Sequence, residues 1–257
     1  MIFKKTEEEV ELLKEGGQRL ALILDILAKN TKPGISTNEL NEIAVSLIKE
    51  RGDTSAFLHY KPEGAKRKYP AALCVSINDE IVHGVSNESP AIIKDGDVVS
   101  IDLGLTHKGL ITDSAITVGV GNISKEDSKL IKVTQEALSA GIKNAKAGGN
   151  VGDIGYAIEA VANRNGFKVV EGLCGHGVGY KVHEDPYVPN YGTLGDGIVL
   201  EEGMVIAIEP MLTNGTGKII LGKDGFTFKT KDKTRSAHFE HTVAIRKNGP
   251  VILTKLK

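Results

Sequence analysis

Two aspartates, two glutamates and a histidine stand in apolar or glycine-rich surroundings, and together they have the composition of a divalent-metal site. Asp102 lies in Ser100-Ile101-Asp102-Leu103 and Asp113 in Ile111-Thr112-Asp113-Ser114-Ala115-Ile116, both strand-like stretches where a lone carboxylate is costly to bury. A hairpin turn centred between His107 and Lys108 is equidistant from them, which predicts side chains directly opposed on one face, Cβ atoms roughly 5 Å apart. Such a pair is destabilising unless a cation neutralises it; the alternative is one solvated acid near each end of an exposed hairpin. Glu209 closes the apolar run Met204-Val205-Ile206-Ala207-Ile208, and Glu240 lies in His238-Phe239-Glu240-His241-Thr242-Val243-Ala244-Ile245. Alternation puts Glu240, Thr242 and Ala244 on one face and Phe239, His241 and Val243 on the other. Glu240 is therefore the expected ligand, and His241 is expected to pack behind it.

His176 sits in Gly175-His176-Gly177-Val178-Gly179, where the flanking glycines are expected to leave room for backbone to approach a ligand. His183 in His183-Glu184-Asp185-Pro186 and His83 in Ile81-Val82-His83-Gly84 are two further candidates. Four carboxylates carry a charge of −4 and two divalent cations +4, so a dinuclear site is neutral where a single ion leaves two charges uncompensated.

The elements that must hold these residues can be read from caps and periodicity. Thr6 with Glu9 is a capping box, and Val10, Leu13, Leu20, Leu24 and Leu27 extend a helix to about Lys29. Ser36 with Glu39 opens a second helix that Gly52 stops; Ser124 with Asp127 opens a third, to about Lys146, and a fourth runs from about Val151 to Asn165. Strands are expected at Leu73–Ile77, Val98–Leu105, Leu110–Val118, Val205–Glu209, Lys218–Leu221 and Glu240–Arg246. A weak repeat links the halves. Lys29 to Gly34 recurs as Lys143 to Gly148, and Asp95-Gly96-Asp97-Val98-Val99-Ser100-Ile101-Asp102 matches Glu202-Gly203-Met204-Val205-Ile206-Ala207-Ile208-Glu209. Each half then reads as two helices and a strand that ends in a carboxylate.

Composition narrows the setting. The chain has 257 residues, 40% of them hydrophobic, and 32 basic against 33 acidic side chains give a net charge of −1. That balance offers no electrostatic case for nucleic acid or a membrane surface. No apolar run approaches the roughly 20 residues of a membrane span, and the start lacks the apolar stretch of a secretory signal. Cys74 and Cys174 are too few for a disulfide scaffold, so a reducing cytoplasm is expected. Gly-x-Ser-x-Gly, phosphate-loop and His-Glu-x-x-His motifs are all missing.

In this chain order the constellation resembles the type 1 methionine aminopeptidases of the pita-bread metallopeptidase superfamily, over nearly the whole chain. The motifs are Asn78-Asp79-Glu80-Ile81-Val82-His83-Gly84, Ile101-Asp102-Leu103-Gly104, Thr112-Asp113, Gly175-His176-Gly177-Val178-Gly179, His183-Glu184-Asp185-Pro186, Ile208-Glu209-Pro210 and Phe239-Glu240-His241-Thr242. The resemblance implies an α/β fold of two pseudo-twofold halves (residues 1–120 and 121–257 of one catalytic domain, 1–257), a central antiparallel sheet covered by helices. It implies that Asp102, Asp113, His176, Glu209 and Glu240 hold two divalent ions (Co, Mn, Fe or Zn), with Asp113 and Glu240 bridging. A bridging water or hydroxide would attack the scissile carbonyl, Glu209 would shuttle its proton, His183 would bind the carbonyl oxygen and His83 would contact substrate near the scissile amide. Tyr69, Cys74, Val182 and Phe226 match positions lining the methionine pocket; Val182 and Phe226 stand where bacterial relatives often carry larger aromatics. Lys61 to Lys68 looks like an insertion, its basic run most simply a solvated loop that bears on substrate access.

The start of the first helix near residue 6 leads us to expect no zinc-finger extension, and the step of 26 positions from His183 to Glu209 is too short for the helical insert of the type 2 enzymes. The implied activity is removal of initiator methionine from nascent polypeptides in the cytoplasm by a monomer, with the ribosome near the exit tunnel as a further expected contact. The alternatives are an Xaa-Pro aminopeptidase or prolidase, which shares the five ligands but usually carries an additional N-terminal domain, and a non-catalytic binding member of the superfamily, which has lost ligands.

Overall fold

Helix α1 spans Glu7–Asn30, and the Thr6–Glu9 capping box closes its first turn with reciprocal side-chain to backbone bonds. Helix α2 (Thr37–Glu50) starts on the matching Ser36–Glu39 box. Helix α3 (Lys125–Asn144) starts on Ser124 and ends two residues before the expected Lys146, because Ala145 N–H donates back to Ile142 O and tightens the last turn. Helix α4 (Val151–Asn165) ends at Gly166, whose φ of 85° is the left-handed conformation that favours glycine. These elements come from a computed structural model that describes residues 2–256; Met1 and Lys257, the ends of the expected domain span, lie outside the described residues.

A nine-stranded antiparallel sheet forms the centre. Its order is Thr54–Ser55, Val98–His107, Leu110–Gly119, Glu240–Ala244, Val205–Ile208, Cys174–Gly177 and Glu184–Pro189. Cys74–Ile77 adds to the free edge of Val98–His107, and Val251–Ile252 to Glu240–Ala244. Two three-stranded sheets flank it: Met211–Thr213 between Ser236–His238 and Lys168–Val169, and Phe228–Thr230 between Ile219–Leu221 and Glu80–Val82.

Alternation divides the central sheet by face. Val99, Ile101, Leu103 and Leu105 point one way, into a core shared with Leu20, Ile23, Leu24 and Leu27 of α1 and Leu40, Ala44 and Ile48 of α2. Ile206, Ile208 and Val243 point the same way, into a second core with Leu130, Val133, Ala137 and Leu138 of α3 and Ile154, Ile158 and Ala162 of α4. Both helix pairs therefore cover one face, and the residues between these positions project from the other. Among the described residues no helix is long and apolar enough to cross a membrane.

Two sequence expectations shift. The hairpin turn is the two-residue Lys108-Gly109, with φ of 48° and 83°, closed by the His107–Leu110 pair, so its centre lies one residue later than expected. In consequence Asp102 faces Ala115 and Asp113 faces Gly104: the two acids share a face but are diagonal neighbours, not directly opposed. Nor does the first half end its strand in a carboxylate, since Asp102 lies midway along Val98–His107.

Close packing of α1 on the chain's last strand supplies a stability test. A Cβ on Gly17 would lie 2.4 Å from the backbone oxygen of Leu253, just past Val251–Ile252, where the Leu253 N–H is tied to Thr242 O at 2.9 Å. Gly17→Ala is expected to destabilise by about 1–3 kcal/mol, whereas Leu22→Ala, at a position 46% exposed, should cost under about 0.5 kcal/mol. Urea denaturation checks both; equal midpoints for the two variants would contradict this packing.

Candidate metal centre

The register of the central sheet lines up the acids. Cys74 pairs with Asp102, Asp102 with Ala115 and Ala115 with Glu240, so these four side chains form one row across four strands on the helix-free face. The next pairing, Ile208 with His241, places Glu209 opposite Glu240 when continued by one residue. Asp113 occupies the neighbouring row between Gly104 and the Thr242 region, where its N–H donates to Thr242 Oγ1 at 2.9 Å and Thr242 Oγ1–H donates to Asp113 O at 2.7 Å. Small residues, Ala115 and Gly104, separate the acids and leave space above the sheet. A Cβ on Gly104 would lie 2.6 Å from the Phe57 ring, which closes that side.

His176 reaches the same space from Cys174–Gly177. Its Nδ1–H donates to Gly177 O at 2.9 Å, which turns the Nε2 lone pair toward the acids, 3.5 Å from Glu209 Oε1. The flanking glycines have a different reason from the one expected. A Cβ on Gly175 would lie 2.3 Å from Ala207 O, and one on Gly177 2.2 Å from Asp185 O, so neighbouring backbone rather than ligand takes the room. Asp113, His176 and Glu240 each offer a ligand atom, all within 4.8 Å of one another, and all three residues are buried.

Electrostatics point to a missing counter-charge. Asp102 Oδ1, Asp113 Oδ1 and Glu240 Oε1 are buried with no hydrogen-bond partner among the described residues. Burial raises the carboxyl pKa of Asp113 to about 7, and burial with mutual repulsion raises those of Asp102, Glu209 and Glu240 well above the carboxylate range. Burial lowers His176 to about 3 and His83 to about 4, so both rings are neutral at pH 7 and available as acceptors. Orphaned hard oxygens beside one oriented imidazole fit a divalent cation.

All the other candidates line the same cavity of about 60 Å³: Tyr69, Cys74, Val182 and Phe226 on its apolar side, His83 and His183 at its polar side. His83 holds a left-handed backbone (φ 60°), and the following Gly84 lies where a Cβ would be 2.1 Å from Val75 O. His183 Nδ1 is 2.9 Å from the Tyr60 hydroxyl, and its ring meets His176 edge-on at 4.5 Å. His241 points away, as alternation predicts, its Nδ1 2.9 Å from Thr254 Oγ1. The cavity opens into a wider cleft of about 520 Å³ that shares His83, His176, His183 and Glu209 as a wall.

Sequence reading missed four lining or neighbouring residues. Phe57, Tyr60 and Pro62 come from a loop with no periodic signal. His238 has its Nε2 3.6 Å from Glu209 Oε2 and both ring nitrogens without hydrogen-bond partners. Alternation from Glu240 carried that signal, since residue 238 shares its face.

Comparison with known proteins gives a consistent pattern. The family model for metallopeptidase family M24 matches residues 11–247. The methionine aminopeptidase of Aquifex aeolicus is 50% identical over 253 residues, covering 98% of each chain. The crystal structure of methionine aminopeptidase from Thermotoga maritima superposes with a TM-score of 0.94 at 40% identity, covering 99% of this chain and 100% of that one. A prolidase from Pyrococcus horikoshii shares the fold at TM-score 0.76 and 24% identity, and this chain covers only 64% of it.

Carboxyl groups with raised pKa values must release their protons to bind a cation. Affinity must then rise with pH below about 7, by about tenfold per pH unit for each proton displaced. Calorimetric titration with Mn²⁺ at pH 6.0, 6.5 and 7.0, in two buffers of different ionisation enthalpy, checks both the slope and the protons released. A pH-independent Kd would contradict the electrostatics described above.

Proposed function

The chain belongs to metallopeptidase family M24, and we propose that it is a metal-dependent aminopeptidase that hydrolyses the N-terminal methionine from nascent polypeptides. One observation carries this reading: a small, mainly apolar pocket and a much wider cleft share a wall beside a cluster of buried acids. A pocket that admits one side chain beside a cleft that can receive a continuing chain is the shape of an exopeptidase that removes one residue.

On this reading Asp102, Asp113, His176, Glu209 and Glu240 would hold two divalent ions (Co, Mn, Fe or Zn). When bound, such ions supply Lewis acidity, polarising the scissile carbonyl and lowering the pKa of the attacking water. The charge sum supports the number, since two ions neutralise four carboxylates. Glu209 faces both the cluster and the cleft, and its elevated carboxyl pKa suits it to carry a proton from the water to the leaving amine. Donation from the Tyr60 hydroxyl to His183 Nδ1 leaves Nε2–H as a donor for the carbonyl oxygen as it gains charge. His83 lines both spaces and contacts the substrate near the scissile amide. Tyr69, Cys74, Val182 and Phe226 receive the methionine side chain, whose flexible thioether suits an aromatic and sulfur-lined wall.

The two halves, residues 1–120 and 121–257, fit a duplicated unit, each helix pair covering half of one sheet face. A cytoplasmic monomer meeting its substrate as it leaves the ribosome near the exit tunnel is the setting this activity implies. The near-neutral charge favours protein over nucleic-acid contacts there.

Asp102→Asn and His176→Ala are each expected to lower kcat/KM by about a hundredfold or more while the circular dichroism spectrum stays that of a folded protein. Near wild-type turnover in either variant would defeat the ligand assignment. A panel of Met-Ala, Met-Gly, Leu-Ala and Ala-Pro peptides, assayed after chelation and metal add-back, tests the activity. Release of methionine is expected; preferential cleavage before proline would favour a prolidase, and no cleavage with any metal a binding protein.

A further inference from the structure

We infer that Arg67, in the basic loop between Lys61 and Lys68, is a positioning residue for the pocket wall that selects methionine, acting through Phe226. The inference rests on the assignment of Phe226 to the methionine pocket proposed above.

The loop leaves and rejoins the molecule at one point. Tyr69 N–H donates to Tyr60 O at 2.7 Å and His59 N–H to Tyr69 O at 2.9 Å, so residues 61–68 form a protrusion clipped at its base. Its near side is part of the pocket, since Pro62 lines the cavity. Its basic residues Lys61, Lys66, Arg67 and Lys68 are exposed, as expected of a solvated loop, but one of them also makes specific contacts. Arg67 folds back across the pocket rim, its two terminal nitrogens each donating at 2.7 Å to one carboxylate oxygen of Glu88, and Nη2 also to Asp224 O at 3.1 Å. That fork-to-fork pairing fixes the plane of the guanidinium as a lysine could not.

The plane so fixed lies on the pocket wall. The guanidinium carbon is 4.8 Å from the centroid of the Phe226 ring, and Phe226 and Tyr69 pack in a T-shaped pair with centroids 5.2 Å apart at 87°. Phe226 stands at the tip of the hairpin joining Ile219–Leu221 to Phe228–Thr230, where its own backbone is held mainly by Asp224 Oδ1, which accepts from Phe226 N–H and Thr227 N–H at 2.9 Å each. Arg67 thus ties together three separate segments at one aromatic ring: the 61–68 protrusion, Glu88 and the turn at Asp224. Without it, a ring in a hairpin turn keeps only its apolar neighbours on the pocket side and loses the tie across its outer rim, so the pocket loses its fixed width. The metal ligands stand on the central sheet and do not depend on this tie.

Arg67→Met keeps the length of the side chain without the fork. Steady-state kinetics on matched Met-Ala and Leu-Ala peptides are expected to show KM for the Met peptide raised about tenfold, with kcat within about twofold. The kcat/KM preference for Met over Leu should fall by a similar factor, equivalent to about 1.4 kcal/mol. Glu88→Gln should shift both in the same direction, and Arg67→Lys should recover only part of the loss. Mn²⁺ affinity and the thermal midpoint should stay at wild-type values. Phe226→Ala is the reference for the pocket assignment. If it loses selectivity while Arg67→Met keeps wild-type KM and preference, the role of Arg67 is overturned and the pocket stands. If Phe226→Ala also keeps wild-type selectivity, the pocket assignment falls and this inference with it. A fall in kcat together with weakened Mn²⁺ binding in Arg67→Met would overturn the inference in favour of a general structural role.

Discussion

Three buried carboxylates on one face of one sheet, with the half-buried Glu209 beside them, cannot all be ionised without a counter-charge, and the rest of the molecule is arranged around that fact. Two like charges about 5 Å apart repel by roughly 3–4 kcal/mol at an effective dielectric of about 20, and each pays a separate desolvation cost. The sheet does nothing to relieve this. Its strands pair Asp102 with Ala115 and Ala115 with Glu240, and its register brings Glu209 alongside, so the backbone concentrates the acids in a row rather than dispersing them. A fold that spends stability in this way needs a cation to recover it, which is why the orphaned oxygens of Asp102, Asp113 and Glu240 carry more weight than any motif.

The same geometry accounts for where the apolar mass lies. Because alternation sends the acids to one face, it sends Val99, Ile101, Leu103, Ile206, Ile208 and Val243 to the other, and all four helices gather there. The acid face is left to small sheets and loops, which wall it without filling it. Out of that incomplete cover come a narrow apolar pocket on one side of the acids and a wider cleft on the other.

What the sequence made legible follows from which of its signals are local. Helix starts were readable because capping boxes at Thr6 and Ser36 act over three residues, and the opposite orientation of Glu240 and His241 because strand alternation has a fixed period. The pairing of Asp102 and Asp113 was misread by one residue, since Lys108-Gly109 accepts a two-residue turn with positive φ that shifts the register of both strands. The glycines around His176 were read as space for a ligand when the carbonyls of Ala207 and Asp185, on the two neighbouring strands, claim it. Tyr60 was invisible because its partner His183 is 123 residues away, and no pattern in either segment announces the contact. Arg67 is exposed, as its Lys-Arg-Lys run suggests, but nothing in that run says that Glu88 and Phe226 wait for one of its members.

Chemistry and selection are therefore held by different parts of the chain. The proposed ligands Asp102, Asp113 and Glu240 belong to adjacent, fully paired strands, with His176 and Glu209 on or just beyond strands of the same sheet, where a shift of one side chain must drag its neighbours. The pocket residues Val182 and Phe226 and the 61–68 protrusion belong to loops and a hairpin tip held by side-chain ties. A substitution in the first group changes the charge balance of the whole cluster, because every acid there feels the others. One in the second group changes the width and shape of a pocket while leaving that balance alone. Such a division lets the wall change in size and shape over an acid row that the sheet keeps in place.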